Sequence, residues 1–235
     1  QAPVRPNLSI GDTISGIHAA LGICLALLEQ KNSGKGQVVD VALYESMFNL
    51  MEAVVPEYDG ANVIRQPSGS TVTGIVPTNT YKCLDGKYVV IGGNGDSIFV
   101  RLMTAAGYPD MACDPALSSN AGRVGHEVKI DQALSSWCAE NDSVSILAIL
   151  DENAVPGGPI YNVEDMVNDE HFKARGLFES VEINGEALKI PAILPKLSNT
   201  PGATRWAGPA LGSHTHDVLG SLLGLSGEKL TQLAQ

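Results

Sequence analysis

The hydrophobic pattern at the start of the chain is that of an amphipathic helix. Asp12 or Thr13 is placed to cap it, and it is predicted to run to about Gln30. Small residues among its positions, Gly16, Ala19, Ala20 and Gly22, would let a neighbouring strand or helix approach closely. Its large apolar positions recur at the i, i+3, i+4, i+7 spacing and form one stripe: Ile14, Ile17, Leu21, Cys24, Leu25 and Leu28.

Two further elements are predicted within the first sixty residues. Residues 32–36 break the helix, and residues 37–43, β-branched and mostly apolar, predict a strand covered on both faces. A second helix is predicted from about Tyr44 to Val55, with Met47, Leu50, Met51 and Val54 on one side. Helix, strand and helix in this order indicate a piece of an α/β layer.

The periodicity stops between Pro56 and Pro77, in a stretch rich in Gly, Pro and Ser. We interpret this stretch as the crossing into a second domain. Beyond it, Asp85-Gly86 and Asn184-Gly185 each predict the turn of a β-hairpin. The strands are predicted at 78–83 with 88–92 and at 178–183 with 187–190, and helices at 96–106, near 121–140, at 143–153 and near 216–223.

Composition and charge narrow the classes of partner. With 235 residues and 44% hydrophobic content, the chain is long enough for one large or two small packed domains. Its net charge of −11 argues against nucleic acid, whose binders carry a basic face. We find no signal peptide and no apolar run of about 18 residues, so we expect no membrane partner.

The cysteines predict neither a disulfide framework nor a zinc site. Cys24, Cys83, Cys113 and Cys138 form no CxxC pair, and we expect buried free thiols. Such thiols are typical of a reducing, cytoplasmic location.

Two positions have a chemical as well as a structural interpretation. The Asp12 carboxylate, at a helix N-terminus, would feel the positive end of the helix dipole; from the residues alone, a simple N-cap is favoured. Residues 92–95, Gly-Gly-Asn-Gly before a helix, would present N–H groups to an anion. They match neither GxGxxG nor a Walker loop, so a turn that needs positive φ is favoured.

Two further segments are weaker candidates. The stiff loop at residues 155–161, which contains Gly157 and Gly158, would either line a site or only connect two elements. His214 and His216 alternate at a predicted helix start, but without a further cluster of ligands nearby we expect no metal.

Six segments, in register along essentially the whole chain, resemble one family. Residues 10–19 resemble the GD-[ST]-x-[ST]-G-x-H segment, and residues 33–43 the TGxGQxVxVSL stretch, of class III (CaiB/BaiF-type, formyl-CoA transferase-like) coenzyme A transferases. The other four similar segments are 120–123, 156–161, 169–176 and 209–215.

The resemblance implies an α/β fold. It consists of part of a Rossmann-like large domain and a smaller α+β domain, as in the interlocked dimers of this family. Residues 1–60 would belong to the large domain, 61–75 to a linker, 76–185 to the small domain, and 186–235 to a segment that returns to the large domain.

The resemblance also implies the chemistry. Asp12 would be the catalytic nucleophile, attacking an acyl-CoA thioester whose CoA finally passes to a carboxylic acid. Coenzyme A is then a substrate, no cofactor is bound covalently, and Gly157 and Gly158 would approach the acyl group. The strand–helix units that carry most CoA contacts in the family have no counterpart here. We therefore expect a homodimer or a complementing N-terminal polypeptide, and an inactive chain on its own.

Two alternatives remain at this stage. In 2-methylacyl-CoA racemases the matching aspartate is an acid/base that works with a histidine, and the segment after it is glycine-rich; Thr13–Gly16 is more similar to the transferases. The second alternative is a non-catalytic interaction module derived from the transferase fold. It predicts a stable oligomer that does not respond to acyl-CoA.

Overall fold

The computed structural model describes residues 4–233, in two compact units that divide after Ile160. The first unit contains helices α1 (Ile10–Ser33), α2 (Leu43–Phe48), α3 (Val54–Ala61), α4 (Asp96–Ala105), α5 (Pro109–Ala112), α6 (Asn120–Val124), α7 (Glu127–Glu140) and α8 (Ser143–Glu152), a 3-10 turn at Pro115–Leu117, and strands β1 (Thr78–Lys82), β2 (Tyr88–Gly92) and β3 (Gly157–Pro159). The second contains α9 (Val163–Asn168), α10 (Glu170–Ala174), β4 (Phe178–Ile183), β5 (Glu186–Pro191), α11 (Thr215–Leu223) and α12 (Gly227–Leu233).

Helix α1 packs on its own chain through small residues. Gly34, at φ +73°, ends the helix in the left-handed conformation and donates its N–H to the Gln30 carbonyl. At Gly22 the neighbour comes so close that a Cβ would lie 2.8 Å from Cγ1 of Val39. The predicted close approach is therefore found at Gly22. The buried or half-buried positions are Gly11, Ile14, Ser15, His18, Ala19, Gly22 and Ala26.

Apart from Ile14, which is half-buried, the large apolar residues of α1 are exposed within this chain. Leu21 is 55% and Leu28 60% exposed, and on another side of the helix Leu27 is 58% exposed. By length and composition α1 would suffice to cross a membrane, although core helices and signal sequences share this property. Our expectation that no apolar run reaches that length was wrong, because Gly, Ala and Cys fill the positions between the Leu and Ile residues.

Two predictions for the next segment were wrong. Residues 37–42 form no strand, because no strand in the described part of the chain runs beside them to complete their hydrogen bonds. The helix predicted from Tyr44 to Val55 is two short helices, α2 and α3, separated by a turn in which Glu52 has φ +47°. Pro56, without an N–H, fits the first turn of α3 rather than the interior of a longer helix.

The core of the first unit lies between a small sheet and three helices. Strands β1, β2 and β3 form an antiparallel sheet in sequence order, with Tyr81 opposite Val89 and Val90 opposite Gly158. The hairpin predicted around Asp85-Gly86 is confirmed. Side chains from α4, α7 and α8 complete the core: Phe99, Leu102, Met103, Ile130, Leu134, Ile146 and Leu150, each at most 1% exposed.

The second unit contains the other predicted hairpin. Strands β4 and β5 pair in antiparallel register from Phe178↔Pro191 to Ile183↔Glu186. Asn184 and Gly185 both have positive φ, as a two-residue turn of type I′ requires. Helix α11 covers the segment predicted near 216–223. The assignment of residues to a large and a small domain concerns a whole enzyme and stays a prediction.

Candidate active site

Asp12 lies in the first turn of α1, not at its cap. The helix begins at Ile10, with Ser9 at the N-cap position, so the prediction that Asp12 or Thr13 caps it was wrong. The Ser9 side chain makes no capping bond, whereas the N–H and the hydroxyl of Thr13 each donate to the Ser9 carbonyl at 3.0 Å. The Asp12 side chain therefore projects from the third helical position and is exposed.

The N-terminus of α1 has backbone N–H groups that can bind a ligand. The N–H groups of Ile10, Gly11 and Asp12 precede the first helical hydrogen bond, and no group in the described part of the chain accepts from them. No group in the described part of the chain donates a hydrogen bond to the Asp12 carboxylate either. A carboxylate with accessible lone pairs can attack an electrophile, and the adjacent N–H groups can stabilise the negative charge that develops.

Of the cavities beside α1, two lie near residues with candidate chemistry. One, of about 240 Å³, is lined by residues 5–9, and Arg5 makes no ion pair with any described residue. Arg5 was missed in the sequence, where its only signal is that a cationic residue stands shortly before Asp12. A guanidinium at this place is suited to bind a carboxylate or a phosphate. The other cavity, of about 220 Å³, is lined by His18, Asp40 and Glu45 together with four neighbours.

The Gly92–Gly95 segment is a strand-to-helix turn, but not for the predicted reason. None of its residues has positive φ, and Gly95 at the N-cap of α4 has φ −69°. Glycine is required at residue 93 because a Cβ there would collide with Leu102 Cδ2 and contact Pro77 Cγ at 3.0 Å. Close packing, rather than a special dihedral angle, therefore selects glycine at this position.

A buried arginine holds this turn. Arg123 is fully buried and its guanidinium carbon lies 4.9 Å from the centre of the Phe99 ring. From the sequence, residues 120–123 were recognised only as a segment similar to the family, with no sign that Arg123 is buried. Each of its three nitrogens donates to an oxygen of a surrounding segment: Val76 O at 2.9 Å, Leu117 O at 3.1 Å, Asn94 O at 2.5 Å and Asp96 Oδ1 at 2.8 Å.

The two glycines predicted to approach a substrate lie in β3. Gly157 is opposite Ile91, and Gly158 opposite Val90. A Cβ at residue 157 would lie 2.5 Å from Leu150 Cδ1 and 3.2 Å from the Val90 carbonyl oxygen, so packing alone requires glycine there. At residue 158 only Val90 Cγ1 comes within contact distance, at 4.0 Å. That these glycines line a substrate stays a prediction.

We expected all four cysteines to be buried, and this expectation was wrong for two of them. Cys83 and Cys138 are buried in the core, whereas Cys24 on α1 and Cys113 after α5 are exposed. Burial raises the pKa of the Cys138 thiol to about 12 and also raises that of Cys83. Within residues 4–233 no group of three His, Cys, Asp or Glu side chains is arranged to hold a metal ion.

The chain is similar to known proteins along nearly all of its length. The sequence profile of CoA-transferase family III matches residues 1–215. The succinyl-CoA–D-citramalate CoA-transferase of Chloroflexus aurantiacus is 39% identical over 233 residues, which cover 98% of this chain and 58% of that protein. The beta subunit of the succinyl-CoA–L-malate CoA-transferase from the same organism is 32% identical, with coverage of 98% and 58%.

A solved structure gives the same result for the fold. A CaiB/BaiF family protein from Brucella suis superposes with a TM-score of 0.77 at 25% identity, over 94% of this chain and 57% of that one. The predicted fold class, a mixed α/β chain of this kind, is confirmed. The chain spans a little over half the length of the relatives that it matches.

Proposed function

The chain belongs to CoA-transferase family III, and from this membership we propose that it forms part of an acyl-CoA:carboxylate CoA-transferase with Asp12 as the nucleophile. The observation that carries the proposal is the place of Asp12, an exposed carboxylate in the first turn of α1 beside N–H groups that have no described acceptor. Nucleophile and oxyanion donors are both needed for acyl transfer, and the start of α1 offers both.

The proposed reaction proceeds through the Asp12 side chain. An oxygen of Asp12 attacks the thioester carbonyl, the C–S bond breaks, and a mixed anhydride and CoA thiolate form. The thiolate then attacks the Asp12 carbonyl and releases the donor acid as its carboxylate, which leaves an aspartyl-CoA thioester. The acceptor carboxylate attacks this thioester, the C–S bond breaks, and a second mixed anhydride forms between Asp12 and the acceptor. The expelled thiolate attacks the acceptor carbonyl of this anhydride, which gives the acceptor CoA thioester and releases Asp12 as its carboxylate. No external oxidant or proton source is needed, because each step exchanges one acyl bond for another.

The relatives support a substrate class. Three relatives of 32–39% identity are named for succinyl-CoA, together with D-citramalate or L-malate. We therefore propose succinyl-CoA as the donor and a small dicarboxylic acid, with or without a hydroxyl group, as the acceptor. Arg5, in the cavity before α1, suits the free carboxylate of either substrate.

The active form proposed here is an assembly. The chain spans a little over half of its relatives, and two of those are named as alpha and beta subunits. We expect either a homodimer or a complex with a complementing polypeptide, in which the remaining CoA contacts are supplied. The acidic character of this chain, with a net charge of −11, agrees with phosphate-binding groups that lie elsewhere in the assembly.

Trapping of the covalent intermediate tests the proposal. The test protein is a chimera in which this chain replaces the matched part of the C. aurantiacus citramalate transferase, and it is incubated with succinyl-CoA. Intact-mass spectrometry should show a CoA adduct, and hydroxylamine should convert it into a hydroxamate located at Asp12. Asp151→Asn, which removes an exposed carboxylate of α8, should keep the adduct, and Asp12→Ala should lose it. An adduct that survives Asp12→Ala, or its absence from a chimera that binds succinyl-CoA, would refute the assignment.

A further inference from the structure

The chain contains two Asn-Gly pairs, Asn94-Gly95 and Asn184-Gly185. Asparagine is a thermolabile residue, because the backbone nitrogen that follows it can attack its side-chain amide. Glycine at the following position favours this reaction, since it has no Cβ to shield its nitrogen and its backbone rotates freely. In a folded protein the reaction further requires that the peptide between the two residues can rotate. The two pairs differ in how that peptide is held.

The Asn184-Gly185 pair forms the exposed tip of the hairpin β4–β5. It is the whole connection between the strands, since the last pair in their register is Ile183↔Glu186. No group in the described part of the chain accepts a hydrogen bond from the Gly185 N–H, and the Asn184 side chain has no hydrogen-bond partner there. Opening of this tip disturbs only the outermost strand pair, so the peptide between the two residues rotates at little cost.

The Asn94-Gly95 pair is held from the interior of the first unit. Exposure does not distinguish it from the other pair, because Asn94 is exposed as well. Its carbonyl oxygen, however, accepts a hydrogen bond from Nη2 of the fully buried Arg123, and Gly95 is fixed as the N-cap residue of α4. Rotation of the peptide between Asn94 and Gly95 would break the bond to Arg123 and leave a buried donor without its acceptor, which is costly.

We propose that Asn184 is a site of spontaneous modification, and that its conversion into isoaspartate loosens the hairpin β4–β5. The Gly185 nitrogen, after giving its proton to a base in solution, attacks Cγ of Asn184. The Cγ–Nδ2 bond breaks, and the leaving nitrogen takes up a proton from water and departs as ammonia. Water then opens the resulting five-membered imide. Attack at Cγ gives aspartate, whereas attack at the backbone carbonyl gives isoaspartate, whose main chain runs through Cβ.

Of the two products, only isoaspartate is incompatible with the turn. A type I′ connection matches the twist of the strands through two consecutive residues at positive φ, here +54° at Asn184 and +84° at Gly185. Isoaspartate adds one atom to the main chain between Ile183 and Glu186, so the strand ends no longer meet in this register. Aspartate leaves the main chain unchanged, and Asp-Gly suits the same turn. The proposal depends neither on family membership nor on the chemistry assigned to Asp12.

Peptide mass spectrometry during incubation in mildly alkaline buffer tests the modification. The rate at each asparagine is measured in the folded chain, in the chimera and in the chain unfolded by urea, where each pair reacts at its intrinsic rate. Relative to its rate in urea, Asn184 should react about tenfold faster or more than Asn94 in both folded proteins, because only Asn94 must first give up a buried hydrogen bond. Asn184→Gln, which would have to form a larger ring, should leave residue 184 unmodified over the same time.

Amide hydrogen exchange tests the effect on the hairpin. Modified protein is separated by anion exchange, since the reaction adds a negative charge, and its isoaspartyl form is identified by labelling with protein L-isoaspartyl methyltransferase. The amides of Glu182, Ile183 and Ala187 should exchange about tenfold faster or more in this form than in the starting protein, because the strand pairs next to the turn are open. Asn184→Asp has the same added charge on an unaltered main chain and should exchange as the starting protein does.

Three outcomes would overturn the proposal. The first is a relative rate at Asn184 in the folded chain that does not exceed the rate at Asn94. The second is an Asn184 that reacts in the chain alone but is protected in the chimera, which shows that the turn is covered in the assembly. The third is equal hydrogen exchange in the isoaspartyl form and in the starting protein. None depends on turnover, so a failure of the Asp12 mechanism remains distinguishable.

Discussion

Arg123 donates a 2.8 Å hydrogen bond from Nη2 to Oδ1 of Asp96, although its guanidinium is fully buried and the Asp96 side chain is 63% exposed. The same guanidinium also binds three carbonyl oxygens that belong to separate loops. It thereby joins the turn before α4 to the segments before β1 and α6. The carbonyl bonds lie in the interior, whereas the ion pair reaches the surface.

This arrangement predicts unequal effects of the two side chains on stability. Arg123→Met leaves three carbonyl oxygens without their donor, so the free energy of unfolding should fall by about 3 kcal/mol or more. Asp96→Asn removes only an ion pair that water screens, and the loss should be at most about 1 kcal/mol. Urea denaturation followed by circular dichroism measures both. Equal losses would show that the ion pair, and not the set of carbonyl bonds, stabilises the turn.

The sequence was informative where the structure is decided locally. Asp85-Gly86 and Asn184-Gly185 predicted both hairpins, because the backbone of a tight turn depends on its own residues. The existence of α1 was equally local. Its periodicity did not reveal what covers the apolar stripe, since a pattern shows that a face avoids water but not which surface lies against it.

Other features depend on residues distant in sequence and were missed or wrongly predicted. Residues 37–42 have the composition of a strand, but a strand needs a neighbour, and the described part of the chain provides none. Arg123 carried no sign of burial, since its carbonyl partners belong to loops up to 47 residues away. Gly93 was predicted to belong to a turn that needs positive φ, whereas the contact with Leu102 is what selects glycine there. The close contact of Gly157 with Leu150 was not visible in the sequence, and its place beside a substrate stays a prediction.

The proposed role of Asp12 predicts a large effect on catalysis with a small effect on stability. In the chimera, Asp12→Asn should lower the rate of CoA transfer from succinyl-CoA by about a thousandfold or more, since the covalent route is lost. The exposed carboxylate contributes to folding only through the helix dipole, so the free energy of unfolding should fall by about 0.3–1 kcal/mol. A transfer assay and a denaturation curve on the same preparation separate the two. Retention of more than a tenth of the activity would exclude Asp12 as the nucleophile.

The buried Cys138 thiol predicts a loss of stability in alkaline solution. Burial raises its pKa from the ordinary value of 9.0 to about 12, so the folded state keeps the proton up to a higher pH than the unfolded chain does. The resulting stabilisation is complete below pH 9 and is lost as the pH rises towards 12, by about 1.4 kcal/mol per pH unit. Burial and the hydrogen bond to Asp131 raise the pKa of Tyr81 in the same direction, which adds to the loss above about pH 10.

Two cysteine variants separate this effect from general alkaline denaturation. Cys138→Ala should flatten the dependence of the free energy of unfolding on pH between pH 9 and 10. Cys113→Ala removes an exposed thiol and should leave the dependence as in the wild type. Identical slopes for the two variants would exclude Cys138 as the source.

The adjacent glycines of β3 provide the sharpest test of whether this strand serves packing or a substrate. In Gly157→Ala the new Cβ would meet Leu150 Cδ1 at 2.5 Å and the Val90 carbonyl oxygen at 3.2 Å. Since the backbone oxygen cannot move aside easily, the free energy of unfolding should fall by about 1–3 kcal/mol. In Gly158→Ala the nearest atom is Val90 Cγ1 at 4.0 Å, and stability should change by no more than about 0.5 kcal/mol. Denaturation curves check both values.

Because Gly158→Ala leaves the fold intact, its transfer kinetics in the chimera report on the site alone. If β3 approaches the acyl group, the added methyl should raise the KM for succinyl-CoA severalfold at unchanged stability; kinetics equal to those of the parent would restrict β3 to a packing role.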